Sequence, residues 1–318
     1  EVNKELNVYD FIGPSTVTLH KGNLLENYSS MINIRNDYTV TEKADGIRKL
    51  LFIARSGKVY FIDQNMNIQF TGSQVCSMDL LNTICDGEHV ITDKNNNYNN
   101  KFLIFDIYIY HNDNCKNMPL VKKRGIKDCR LDKMNDFIKK LNGNIGSVTG
   151  KDPTIEISLK IFHFSKNNEL DIFHHSNAIL EKEETGLMSY NTDGLIYTPM
   201  YLAVGSSEIG KGSKMKKVSW KHSFKWKPSE FNTIDFLLTS IKNEDKTDKI
   251  SSVNDEGINM SALGLLKQYK SFKLRVGYNE QQHGYVNPCQ MIIDDEIPDF
   301  NDKDDNKNYK PMLFYPTE

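Results

Sequence analysis

Residues 39–63 read TVTEKADGIRKLLFIARSGKVYFID. Two apolar runs, KLLFI and KVYFI, flank ARSG, where Ser56-Gly57 supplies a hairpin turn. Just ahead of them, Lys43, Asp45, Gly46 and Arg48 crowd a cation, an anion, a turn glycine and a second cation together. Asp-Gly is a common turn pair, so the tetrapeptide alone reads as a tight turn with surface charges. The other reading is a reactive lysine. An amine attacks only when neutral, and a free lysine, with a pKa of ~10.4, is protonated near neutral pH. Burial and neighbouring cations favour the neutral form. A reactive Lys43 therefore predicts other cations converging on it. Arg48 is close in sequence, and Lys225 and Lys227 in FKWKP alternate, so that on a strand both project to one face.

The chain's 318 residues suffice for two domains. A net charge of -2 excludes a global basic field and leaves nucleic-acid contact to a local cleft. Cys76, Cys85, Cys115, Cys129 and Cys289 form no C-x-x-C pair and read as thiols of a reducing compartment. No apolar run approaches the ~20 residues of a membrane helix, and no signal peptide is visible, so a soluble cytoplasmic protein without a membrane partner is expected. The sequence opens on Glu1, as a segment of a longer polypeptide would.

Strand-like runs dominate: KFLIFDIYIYH, IEISLKIFHF, DGLIYTPMYLAV and FNTIDFLLTSI. CRLDKMNDFIKKLNG carries Leu131, Met134, Phe137, Ile138 and Leu141 at helical spacing and stops at Gly143. SNAILEKEETG predicts a second helix, with Ser176 as N-cap and Gly186 as stop. The pattern is α+β. The character changes at Lys227 to Phe231. Beyond it, short strands (FKLRVGYN, YVNPCQMIID, PMLFYP) joined by polar stretches suggest a small β-barrel. Its ending after PMLFYPTE leaves open whether the barrel is complete.

Carboxylates recur beside the core strands: Asp86 and Glu88 in DGEH, Asp106 in IFDIY, Asp193 in NTDGLIYTP. A charge inside a β-rich run needs a partner, and acidic residues at strand ends suit an oxygen-loving cation such as Mg²⁺. D-G-E and T-D-G are equally turn chemistry. His174-His175 lacks acidic or cysteine partners at metal spacing and reads as the lead-in to a helix.

The order of these pieces carries more than any one of them. K-x-D-G-x-R, D-G-E, F-D, D-G-L-I and K-x-K-P follow one another along the chain. This series resembles the covalent nucleotidyltransferases, which comprise the mRNA capping guanylyltransferases and the ATP- and NAD-dependent polynucleotide ligases. FIGPSTVTLHKGNL near the start, EKADGIR with TDGLIYTP, and FKWKPSEFNTIDFLL resemble the capping branch more than the ligases. The resemblance is nearest to guanylyltransferase domains of multifunctional capping enzymes of large DNA viruses.

The resemblance implies an ATP-grasp-like nucleotidyltransferase domain of antiparallel sheets over 1–228. An OB-fold over 229–318 would close over the cleft. It implies that Lys43 attacks the α-phosphate of GTP and carries GMP to the 5′-diphosphate end of RNA. Arg48 would contact the nucleotide, Glu88 and Asp193 would serve the ribose and a Mg²⁺ or Mn²⁺ ion, and Lys225 and Lys227 would hold the phosphates. Phe105 would stack on guanine, and Lys160 would donate to its O6, an acceptor that adenine lacks. Asp45, Gly46, Asp86, Asp106 and Asp235 would be framework positions of the motifs. It also implies flanking triphosphatase and methyltransferase domains, and a setting in the host cytoplasm or a virion if the chain is viral. Two departures stand out. Gln64 occupies a position where the family often has arginine, and the R-x-D-K that the family carries on its OB-fold is not visible there, FNDKDDNK having only the D-K. A ligase of the same superfamily and a non-catalytic nucleotide- or RNA-binding module are the competing readings.

Overall fold

In the computed structural model the 39–63 stretch divides between two sheets. The structure describes residues 6–25, 32–149, 154–165, 171–213, 218–231, 236–254, 266–278 and 310–313. They fall in two compact units, 1–232 and 233–318. Asp235, YVNPCQMIID and FNDKDDNK lie outside the described residues.

In chain order the first unit contains β1 (Ser15–Thr18), β2 (Tyr38–Ala44), β3 (Ile47–Ile53), β4 (Lys58–Asp63), β5 (Ile68–Val75), β6 (Thr83–Thr92), β7 (Tyr98–Tyr110) and β8 (Asp113–Asn114). It continues with α1 (Arg130–Leu141), β9 (Ile145–Ser147), β10 (Glu156–Leu159), α2 (Ile172–Glu184), β11 (Thr192–Pro199) and β12 (Ser219–Trp226). Four strands form one sheet in the order β1-β12-β11-β2. The larger sheet runs β10-β7-β6-β3-β4-β5-β9, with β8 paired to β7. Most pairings are antiparallel, but β1 lies parallel to β12 and β10 parallel to β7, so the sheets are mixed rather than antiparallel throughout.

Alternation along β2 explains why its sheet has two different faces. Tyr38 and Val40 join Leu195, Tyr197, Phe224 and, from α2, Ile172 and Ile179 in one core. Thr41 and Lys43 take the opposite face, beside a cavity. The larger sheet repeats the arrangement. Leu51, Ile53, Phe102, Ile104 and Ile107 pack with Met134, Phe137 and Leu141 of α1. Arg48, Glu88 and Tyr108 line the cavity. Each sheet is thus backed by a helix, and the faces left over meet across the cavity.

Both helices carry the predicted stop glycine, with Gly143 and Gly186 at φ +80° and +75°. The predicted start of α2 is corrected. The helix begins at Ile172 with Asp171 as N-cap, whose side chain accepts from His174 N at 2.8 Å. Ser176 sits inside it, its hydroxyl donating to Ile172 O. His174 and His175 therefore belong to the first turn rather than precede the helix. IEISLKIFHF is strand only over Glu156–Leu159.

The second unit contains β13 (Leu237–Ser240), β14 (Ile250–Asn254), β15 (Leu266–Lys270), β16 (Phe272–Tyr278) and β17 (Lys310–Leu313). They form a three-stranded sheet, β13-β16-β17, and a separate β14-β15 pair.

Candidate active site

The KADGIR segment is the crossing between the sheets. Lys43 stands near the end of β2 in the four-stranded sheet and Arg48 on β3 in the larger one. Gly46 lies between them because nothing larger fits there: a Cβ would stand 2.8 Å from the His89 carbonyl oxygen and 2.9 Å from Glu88 Cγ. Arg48 pairs in register with Glu88 on β6, so the crossing delivers Lys43, Arg48 and Glu88 to one cavity of about 320 Å³.

Asp86 fixes Arg48. The carboxylate is fully buried and accepts Arg48 Nε at 3.0 Å and Nη2 at 2.5 Å, a bidentate fork. It also accepts the Tyr108 hydroxyl at 2.5 Å. Arg48 Nη1 donates to the Pro14 carbonyl at 2.9 Å, tying the Gly-Pro lead-in to the site. A Cβ on Gly13 would stand 2.5 Å from Arg48 Nη2, so that lead-in also needs its glycine. Burial opposes the Arg48 charge, and Asp86 more than offsets it, so the guanidinium stays ionised.

Phe105 reaches the cavity through a β-bulge. Asp86 pairs with Asp106 and Gly87 with Ile104, which leaves Phe105 as the extra residue of β7. Ile104 and Ile107 consequently face the large core, while Phe105 and Asp106 both line the cavity. The Phe105 ring centroid lies 5.5 Å from the Arg48 guanidinium carbon. Asp106 meets Arg130 of α1, whose Nε donates to it at 2.7 Å. That buried pair anchors the bulge to the helix.

The segment after β10 closes one side of the cleft by bonding to both sheets. Lys160 N donates to Ile104 O, and His163 exchanges two 2.9 Å backbone bonds with Val40. The buried Lys160 ammonium donates to the Glu42 main-chain oxygen at 2.6 Å and lies 3.6 Å from its carboxylate. Glu88 has its carboxyl pushed up to about 7, by burial above all and by Asp86, against the opposing pull of Lys160.

Lys43 Nζ lies 2.5 Å from Asp193 Oδ1, and Lys227 Nζ lies 2.7 Å from Asp193 Oδ2. Asp193 precedes Gly194, which sits at φ +138° against the Trp226 carbonyl, where a side chain would collide. Burial pushes the Asp193 carboxyl up, but hydrogen bonds from Lys227 and Lys43 outweigh it and hold it below the usual range. Lys43 and Lys227 thus share one carboxylate. Lys225 lines the 320 Å³ cavity, whereas Lys227, beyond the end of β12, lines a neighbouring one of about 500 Å³ with Asp193 and Lys94. Asp45 borders both cavities.

Among the described residues no group of three or more His, Cys, Asp or Glu side chains could hold a metal ion. Glu88 and Asp193 remain as separate carboxylates, and Asp193 already serves two lysines. This donor set fits only a cation that brings most of its oxygen ligands with it, as Mg²⁺ on nucleotide phosphates does. The motifs do not single out Glu42, Tyr108, Tyr190 or Lys94. Tyr108 alone had a signal, two residues beyond Asp106 on the same strand. Gln64 also lines the cavity. Among the described residues no helix is long and apolar enough to cross a membrane.

The family model for the mRNA capping enzyme, catalytic domain, matches residues 2–228. A probable mRNA-capping enzyme of Acanthamoeba polyphaga mimivirus is 25% identical over 91% of this chain and 28% of its own length. The mRNA-capping enzyme of Danio rerio is 27% identical over 73% of this chain and 34% of its own. That of African swine fever virus is 28% identical over 63% of this chain and 18% of its own. The chain thus spans about a third or less of these relatives' lengths. Among solved structures, the ligase domain from M. tuberculosis LigD is 9% identical with a TM-score of 0.37, over 84% of this chain and 68% of that one.

Proposed function

The chain belongs to the mRNA capping enzyme catalytic-domain family, and from that premise we propose that it is an mRNA guanylyltransferase. The observation that carries the reading is the convergence on one cavity of Lys43, Arg48, Glu88, Phe105 and Lys225 from both sheets and of Lys160 from the segment after β10. Lys43 Nζ, after giving up its proton, attacks the α-phosphorus of GTP. An N–P bond forms, the bond to pyrophosphate breaks, and Lys43 carries GMP. A terminal oxygen of a 5′-diphosphate RNA then attacks the same phosphorus, the N–P bond breaks, and the lysine amine is restored. Phosphoryl-type transfer asks the protein chiefly for positioning and charge neutralisation. Lys225 and Lys227 supply cations for the phosphates, Arg48 and Phe105 flank the nucleoside, and Lys160 offers a donor to guanine O6. Asp193 and Glu88 would hold Mg²⁺ or Mn²⁺ arriving on the phosphates, and such an ion offsets their charge.

The reading extends to an OB-fold over 229–318, supported by the small sheet and strand pair described from 237 on. It also extends to triphosphatase and methyltransferase domains elsewhere in the same polypeptide, and to a cytoplasmic setting, host or virion if viral. The test is incubation with α-labelled GTP and a divalent cation. The protein should acquire an acid-labile, base-stable label that Lys43→Ala abolishes. Preference for ATP over GTP would move the chain to the ligases. Nucleotide binding without any label would leave a binding module.

A further inference from the structure

The side of the cavity that carries Lys160 is held from behind. Lys160 reaches β2, an edge strand of the four-stranded sheet, at the Glu42 carbonyl and carboxylate. Glu42 does not border the 320 Å³ cavity. Its carboxylate is 7% exposed, on the opposite side of β2 from Lys43, and accepts the Tyr190 hydroxyl at 2.8 Å. Tyr190 belongs to the lining of the neighbouring cavity. Burial and the Glu42 carboxylate both keep that hydroxyl protonated, so it is a lasting donor.

We propose that Glu42 and Tyr190 are positioning residues for base choice: Tyr190 fixes the Glu42 carboxylate, and Glu42 fixes the Lys160 ammonium in the cavity wall. This inference rests on the guanylyltransferase reading and goes beyond it by naming two residues that set specificity without touching the nucleotide. An ammonium can make three hydrogen bonds and none of its atoms accepts. With one donor spent on the Glu42 carbonyl and the carboxylate supplying the counter-charge, the remaining capacity is directed by Glu42. A carbonyl at position six of the purine accepts from such a donor, whereas the amino group of adenine cannot. A site built around a fixed buried donor rejects the base that leaves it unpaired. Loosening the anchor lets Lys160 turn to other acceptors, and the rejection of adenine weakens.

The test uses the 318-residue chain with Glu42→Gln and Tyr190→Phe, measuring rate and half-saturation of covalent labelling with GTP, ITP and ATP. ITP keeps the six-position carbonyl and lacks the two-amino group. Both variants should lower the GTP-over-ATP and ITP-over-ATP ratios together by about tenfold or more, as expected for loss of one charge-assisted contact. The change should appear as weaker half-saturation by GTP and ITP with the maximal rate kept. A loss shared equally by all three nucleotides, or unchanged ratios in either variant, would overturn the proposal and leave Glu42 and Tyr190 as packing residues. Tyr190→Phe guards against damage to Lys43, since it changes no atom of β2. If the unsubstituted chain forms no GMP adduct or prefers ATP, the guanylyltransferase reading itself fails, an outcome separate from a constant ratio in the variants.

Discussion

Asp193 holds Lys43 and Lys227 at once, one on each carboxylate oxygen, at 2.5 and 2.7 Å. The nucleophile and a phosphate-binding lysine of the proposed reaction are therefore positioned by a single anion. Asp193→Asn keeps the shape and removes the charge. We expect lysyl-GMP formation to fall by about 100-fold, the scale of misplacing a reactive group. Stability supplies an independent check. The carboxyl is held below the usual range, so its contribution is complete above the ordinary carboxylate pKa and disappears as pH falls through the lowered value. The difference in melting temperature between the unsubstituted chain and Asp193→Asn should be present at pH 7 and vanish in strong acid. A difference independent of pH would show that the charge is not what matters.

Arg48 and Asp86 make a second prediction. Asp86 is fully buried and receives the guanidinium as a fork. Arg48→Met strands a buried carboxylate with the Tyr108 hydroxyl as its remaining side-chain partner. The expected cost is about 3–5 kcal/mol in denaturant unfolding. Arg48→Lys should recover only part of it, because a single ammonium cannot reproduce the fork and also reach the Pro14 carbonyl. Full recovery by lysine would show that charge alone is required there.

The turn between the sheets is sterically filled. In Gly46→Ala the new methyl must push against the His89 main-chain oxygen, which belongs to a paired strand and yields little. We expect about 1–3 kcal/mol of destabilisation, the usual scale of overpacking. Covalent labelling should suffer more than stability does, because the same displacement moves Lys43 relative to Glu88. Melting and labelling of the one variant test both halves of this expectation.

Legibility in the sequence followed distance along the chain. The β3–β4 hairpin, the body of α1 and both stop glycines are set by local periodicity and turn chemistry. The motif residues that line the cavity stand out in the sequence because the motifs keep chain order. The Asp193 bridge joins residues 150 positions apart, and no local pattern encodes which lysine meets which oxygen. The bulge at Phe105 was hidden for a different reason. FLIFDIYIY is apolar almost throughout, so its alternation could not show where one extra residue turns two neighbours to the same face. Ser176 and Asp171 are both good cap residues, so the start of α2 is ambiguous in the sequence. The choice fell to Asp171 because Ile172, which follows it, is buried in the core beneath the four-stranded sheet.

Glu88 gives the prediction with the clearest sign. Its carboxyl, raised from 4.5 to about 7 by burial first of all, binds its proton more tightly in the folded chain than in the unfolded one. Its contribution to stability is therefore greatest below about pH 4.5 and is lost as pH rises through about 7. Glu88→Gln does not titrate. Relative to the unsubstituted chain it should gain on the order of 1–3 kcal/mol between pH 4.5 and pH 8, then level off. If Glu88 must be ionised to accept from the ribose hydroxyls, labelling of the unsubstituted chain should rise across pH 7, and Glu88→Gln should be slow with that limb missing. A stability gap that stays flat across this range would show that burial does not raise this carboxyl. Loss of the rate limb without loss of rate would separate its titration from catalysis.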